Sequence, residues 1–266
     1  MPRRSALIAL TVVTVVTGLI HAPAGAITGG RPDTVHTNVG LVRFTTPDGR
    51  FRCSGTLIAA TVVLTAGHCT AGATDVYVSF DDELQPDPLE PGISPAEQAD
   101  REEHYITGTA HADPGWDGKL SFSKQHDQGV VVLDEPATTK WAIEPAPLPP
   151  IGYLDRNQGV LKDETFTLVG YGIDIGDKKA QVIVQERRST TSFLQNVQRE
   201  VVAFQTNEHD KKAGGGSCFG DSGGGAFLDG YVIGDASYVN SLTCNAVGTY
   251  QRVDTRYARN FLERWI

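Results

Sequence analysis

An all-β fold built in two halves and closed by a C-terminal α-helix is the architecture this 266-residue sequence predicts. Three observations carry that expectation. Short runs rich in Val, Ile, Thr and Phe recur at 55–60, 61–66, 76–80, 129–133, 165–170, 201–204 and 231–236, separated by glycines or prolines. Short strands at such spacing belong to sandwiches and barrels. A proline-rich stretch at 144–150 then falls near the middle of the chain beyond residue 26, where fixed φ angles and missing N–H donors make a stiff connector. Finally, Tyr257, Phe261 and Trp265 repeat every four residues with Leu262 and Ile266 beside them. That stripe predicts an amphipathic helix over 255–266, capped by Asp254 and docked on the second half.

In chain order, the first segment stands outside the fold. Arg3 and Arg4 precede a mostly apolar run at 6–20, and Ala24-Gly25-Ala26 supplies small residues at a cleavage site, so residues 1–26 read as a secretory signal peptide. The run is shorter than the ~20 apolar residues that span a bilayer. The mature domain is then 27–266, secreted and free of the membrane, with a first half at about 27–144 and a second at about 145–266. Export permits disulfides, and Cys53, Cys69, Cys218 and Cys244 allow three pairing schemes, of which the one joining near neighbours is favoured. Neither close pair has the C-x₂-C spacing of a structural zinc site. Between 86 and 103, Pro86, Pro88, Pro91 and Gly92 with few apolar residues predict a long surface loop carrying a helical turn at 95–103.

Charge excludes one class of function. The chain has 23 Lys+Arg against 32 Asp+Glu, a net −9, without the basic excess of a nucleic-acid binder. Without residues 1–26 the charge is −11, and −8 of it lies in 81–103, where nine acids meet one base, Arg101. The acidity therefore belongs to one loop. Clustered carboxylates suit Ca²⁺, but no calcium-loop spacing is recognisable, and a solvated charged loop is the simpler reading. His104, His111 and His126 are irregularly spaced and read as surface residues, so no metal centre is expected; Trp116 and Trp141 read as core or barrel-edge residues.

Chemistry concentrates in Gly220-Asp221-Ser222-Gly223-Gly224. Flanking glycines let a serine sit exposed on a tight turn that substrate backbone can approach. A serine hydroxyl is a weak nucleophile and needs an adjacent base. His68, in Thr65-Ala66-Gly67-His68-Cys69 after an apolar strand, is the candidate. Asp127, immediately before the 129–133 run, is the candidate acid to fix the imidazole tautomer, with Asp113, Asp117 and Asp134 as nearby alternatives.

These motifs, in the order His, Asp, Ser, resemble those of the chymotrypsin-like (trypsin-fold) serine proteases over the whole stretch from Ile27 to the terminal helix. The resemblance implies two antiparallel six-stranded β-barrels and a secreted, monomeric serine endopeptidase. Such an enzyme acts on protein or peptide substrates, is open to protein inhibitors and needs no cofactor. It implies Ser222 as nucleophile, His68 as general base then acid, Asp127 as orienting acid, and the backbone N–H groups of Gly220 and Ser222 as the oxyanion hole. It pairs Cys53 with Cys69 around the histidine loop and Cys218 with Cys244 beside the substrate pocket, each closed loop worth roughly 3–4 kcal/mol on a chain-entropy argument. It makes Ser237 the support of the aspartate and the start of the substrate-pairing strand. It also makes Ile27-Thr28-Gly29-Gly30 a mature amino terminus whose freed α-amino group pairs with Asp221, since a buried carboxylate needs a partner. Signal cleavage after Ala26 would create that terminus directly; cleavage after Ala24 would leave Gly25-Ala26 to be trimmed.

The pocket departs from the trypsin-like pattern. An acid six residues before the serine marks those members, whereas Gly216 stands here, followed by Ser217, and the wall positions matched to Val239 and Gly248 are uncharged. Burying a substrate Arg or Lys without a counter-charge is unfavourable. Val239 narrows the entrance, so small or medium apolar P1 residues are expected. The competing reading is a catalytically silent secreted homologue that binds a protein partner.

Overall fold

The computed structural model describes residues 27–121, 125–174, 182–183, 186–207, 209–210 and 212–266. The signal-peptide reading of residues 1–26 lies outside the described residues. The first half runs β1 (Arg31–Pro32), β2 (Val39–Thr46), β3 (Gly49–Ala59), β4 (Val62–Thr65), α1 (Gly67–Thr70), β5 (Thr74–Ser79), α2 (Pro95–Glu102), β6 (Ile106–Ala112) and β7 (Gly129–Leu133). Strands β2-β3-β4-β7-β6-β5 close into an antiparallel barrel. The first half ends with α3 (Ala137–Lys140), whose Ala137 packs into the first barrel's core, and the second half runs α4 (Tyr153–Leu161), β8 (Thr165–Gly170), β9 (Ile173–Asp174), β10 (Val182–Ile183), β11 (Arg188–Val197), β12 (Val201–Gln205), β13 (Gly225–Leu228), β14 (Tyr231–Val239), β15 (Val247–Arg252) and α5 (Arg256–Leu262). Here β11-β12-β15-β14-β13-β8 follow one another and a β11–β8 pairing closes the ring, with β1 added to β11 and β9-β10 a separate ribbon. The two expected six-stranded barrels and the terminal helix are present.

Side-chain alternation explains why two barrels share one molecule. Along β2, β4 and β7, Val42, Val63 and Val131 point into the first barrel, while Leu41, Leu64 and Val130 turn outward. The outward set packs with Val169, Phe227, Val232 and Phe261 of the second half, so these strands are covered on both faces. That is why β4 and β7 read as unbroken apolar runs. Each such side chain, fully buried, contributes about 1.5–3 kcal/mol. The 144–150 connector runs along the seam: Ala146 N–H donates to Leu57 O at 2.8 Å, and Val232 N–H donates to Pro147 O at 3.2 Å.

Two expectations need correction. Thr255, not Asp254, caps α5 by accepting from Ala258 N–H at 3.1 Å, because Asp254 is bound to buried Arg252 at 2.8 Å and to Leu154 N–H. A buried guanidinium demands a counter-charge, and that demand outweighs helix capping. The helix also docks on the first half as well as the second: Tyr257 OH donates to Asp113 at 2.8 Å, and Trp265 stacks on His111 with ring centres 4.2 Å apart. The acidic loop does fold with a helix, α2, capped by Ser94, and several of its carboxylates bind arginines: Asp87 holds Arg50 at 2.6 Å, while Glu90 and Glu97 hold Arg101.

Candidate active site

Helix α1 places His68 at the end of β4. Two glycines let that helix lie against the chain around Asp127. A Cβ on Gly67 would come within 3.0 Å of the Gln128 nitrogen, and one on Gly129 within 2.2 Å of Thr70 Oγ1. His68 N–H donates to Asp127 Oδ1 at 2.8 Å, and His68 Nδ1 lies 2.9 Å from Oδ2. Asp127 is fully buried and also accepts from Ser237 Oγ at 2.5 Å. A carboxylate out of water needs such donors, and in return it fixes the proton on Nδ1 and leaves Nε2 to act as a base. A bulge in β14 aims Ser237 at it: Ala236 pairs with Tyr250 and Tyr238 with Thr249, leaving Ser237 the extra residue. The alternative acids are engaged elsewhere, Asp113 with Gly115 N–H, Asp117 with Lys119 and Asp134 with Thr107.

Ser222 sits on a turn held by both barrels. Ser54 of β3 donates through its N–H to Ser222 O at 2.7 Å and through Oγ to Gly220 O at 3.1 Å, and Gly223 N–H donates to Ala236 O at 2.7 Å. Gly220 takes φ of +92°, a conformation strained for any residue with a side chain. His68, Ser222, Ser217, Ser237 and Val239 all line one cavity of about 410 Å³. Gly216 and Gly248 do not line it. They back onto Thr206, whose Cβ and Cγ2 lie 2.2 and 2.8 Å from where their respective side chains would begin. Thr206 is fully buried behind these glycines, and no acid, lysine or arginine is among the residues that line the cavity. Trp116, Leu120 and Phe219 add apolar walls. Trp116, expected in the core or at a barrel edge, instead lies beside His68 with ring centres 6.4 Å apart.

The disulfides are Cys53–Cys69 and Cys218–Cys244, as the resemblance implied. Because the first consumes both sulfurs near His68, no thiolate is left there for a metal. His104, His111 and His126 are apart, against Asp81, Trp265 and Tyr257 respectively.

Asp221 and Ile27 are both buried and touch. Cys218 N–H, Gly172 N–H and Ile27 N–H all donate to the Asp221 carboxylate, the first two at 2.8 and 2.7 Å. Burial pushes Asp221 up to about 7, against the lowering effect of these donors and of the Arg52 guanidinium. In the full-length chain the Ile27 nitrogen is a peptide N–H and reaches Asp221 only as a neutral donor.

Three polar residues around Asp127 escaped the sequence reading. Gln125 Nε2 donates to Ser237 Oγ at 2.9 Å, and Gln128 Nε2 donates to Asp235 Oδ1 at 3.2 Å. Asp235 is fully buried; burial first, then the Asp127 charge, pushes its carboxyl well above the usual range. An acid inside the otherwise apolar 231–236 run was the available signal.

Two closed antiparallel barrels, with a histidine, a buried aspartate and a glycine-flanked serine gathered at their junction, define the chymotrypsin-like serine protease class. The family described as Trypsin matches residues 27–261, and the chain belongs to that family. It is similar to a chymotrypsin of Phaedon cochleariae, 26% identical over 206 residues that cover 76% of this chain and 68% of that protein. Among solved structures it is similar to HL collagenase, with a TM-score of 0.65 and 19% identity over 90% of this chain and 96% of the other. It is also similar to human heparin binding protein, with a TM-score of 0.64 and 18% identity over 90% and 96%. A scabies mite inactivated protease paralogue is similar too, with a TM-score of 0.60 and 16% identity over 89% and 97%. At these identities the structural likeness shows the fold alone.

Proposed function

We propose that the protein is a secreted serine endopeptidase. The observation that carries this reading is the buried Asp127 holding His68 Nδ1 at 2.9 Å while His68 and Ser222 face one cavity. Ser222 Oγ attacks the substrate carbonyl as His68 Nε2 takes its proton; the imidazolium then protonates the leaving amine, and water resolves the acyl-enzyme by the reverse proton path. Asp127 stabilises the imidazolium without itself being protonated. The N–H groups of Gly220 and Ser222 serve the oxyanion, for which the positive φ that glycine alone adopts freely at 220 is the local support. No cofactor enters this reaction. A lining without any carboxylate and the walls of Val239, Trp116 and Phe219 favour small or medium apolar P1 residues.

The Ile27 terminus belongs to the same proposal. Signal cleavage after Ala26 frees an ammonium beside Asp221, which replaces a neutral donor by a charge and keeps the carboxylate ionised. Hydrolysis of casein by purified wild type, set against Ser222→Ala, tests the reading. Loss of hydrolysis in the variant supports it; a wild type that binds a protein partner but cleaves nothing favours a silent homologue, as the likeness to an inactivated paralogue would then suggest.

A further inference from the structure

Asp235 lies on β14 of the second barrel, two residues before Ser237, and is fully buried. Its partner Gln128 belongs to the first barrel and directly follows Asp127. The bond from Gln128 Nε2 to Asp235 Oδ1 leaves two buried oxygens of the same pair without a partner, Gln128 Oε1 and Asp235 Oδ2. An ionised carboxylate can satisfy neither, since both oxygens only accept. One proton on Asp235 Oδ2 serves both: the acid O–H donates to the amide oxygen while the amide N–H donates to the other acid oxygen. That closes a two-bond acid–amide ring and removes two buried unmet acceptors, each of which is costly.

The surrounding charges favour the same state. Asp127 lies close enough to repel a second negative charge. β13 and β4 carry no titratable residue. On β3, Arg52 donates to Gly172 O and Arg50 to Asp87. On β15, Arg252 is held by Asp254 and Asp155, and Tyr250 bonds Ser217. Among the described residues these leave no cation facing Asp235, and His68 stands beyond Asp127.

Position gives the pair leverage. The Gln125–Ser237 and Gln128–Asp235 bonds both cross the barrel junction and bracket Asp127 in sequence. The Gln128 backbone is also the surface on which Gly67, the residue before His68, rests. We propose that Asp235 is a positioning residue of the triad, a neutral carboxylic acid that grips Gln128 across the junction and leaves Asp127 the single negative charge behind His68. The proposal rests on the protease reading above.

The pH dependence of kcat/KM for wild type, Asp235→Asn and Asp235→Leu tests it. An asparagine makes the same two-bond ring with Gln128. Its acid limb, set by His68, should stay at the wild-type pH, and its kcat should stay within about threefold. Leucine leaves the Gln128 amide unpaired; kcat should fall about tenfold with KM little changed, the mark of a loss felt in the transition state. An acid limb displaced to lower pH by about half a unit or more in Asp235→Asn would mean that a negative charge had been removed, and would overturn the proposal. So would wild-type kcat in Asp235→Leu. A second readout needs neither turnover nor the leucine variant. In Ser222→Ala at neutral pH, the infrared spectrum should contain a protonated-carboxyl C=O band that disappears on adding Asp235→Asn, and its absence refutes the neutral acid. Failure of the protease reading shows differently, as a wild type that is neither acylated at Ser222 nor able to cleave peptides.

Discussion

Release of Ile27 should abolish a pH dependence of stability that Asp221 imposes on the longer chain. The perturbation is two extra residues: one form of the Ser222→Ala protein begins at Gly25, the other at Ile27, and the serine change prevents self-digestion. In the longer form Asp221 is buried beside a peptide N–H, and its carboxyl is pushed from 3.8 to about 7. The unfolded chain therefore ionises first as pH rises. Stability is fully present below about pH 4, falls between about 4 and 7, and then levels. Three units at 1.36 kcal/mol each give an upper figure of roughly 4 kcal/mol. In the Ile27 form the ammonium pairs with the carboxylate, which removes this fall and places the sensitive range at alkaline pH, where the amine deprotonates. Urea unfolding at several pH values from 4 to 8 measures both, and titrating groups other than Asp221 and the terminal amine cancel in the difference. The gap between the forms should open with pH in favour of Ile27. Parallel curves, or a longer form that gains stability over this range, would refute the reasoning.

Two further results follow from the site. Asp127→Asn should fold and keep its disulfides, yet lose about 10⁴ in kcat through the wrong His68 tautomer, and steady-state kinetics beside thermal unfolding separates the two effects. Across peptide substrates with Ala, Val, Leu, Phe and Arg at P1, kcat/KM should be highest for a small or medium apolar residue, whereas Arg as the best would contradict a pocket lined without a carboxylate.

Much of this architecture was legible because local pattern and tertiary role coincide. β4 and β7 are apolar on both faces, and Gly67, His68 and Ser222 sit in short motifs whose residue types are dictated by chemistry. What was not legible depends on distant partners. β6 (ITGTAHA) is half exposed and β11 (RSTTSFLQNV) is rich in Ser and Thr, so neither shows an apolar run. β2 carries a buried Arg43, which no local pattern announces and which donates to Tyr105 OH and to the Gln85 carbonyl. α4 follows Gly152, which sits in the left-handed region and has no capping side chain, and its first turn is held instead by the distant Asp254, so it lacks a local start signal. In the site, Trp116 acquires meaning only from His68, far away in sequence, and Thr206 only from the two glycines it backs, Gly216 and Gly248. The Gln128–Asp235 pair spans 107 residues, and no local pattern announces it.

Ser222 as a nucleophile activated by His68 is what the whole mechanism depends on. Treating the wild type and His68→Ala with a fluorophosphonate, followed by peptide mass spectrometry, tests it most directly. One phosphonyl adduct is expected, on Ser222, formed in the wild type and nearly absent without His68. No adduct on Ser222, or equal labelling in both proteins, would contradict it.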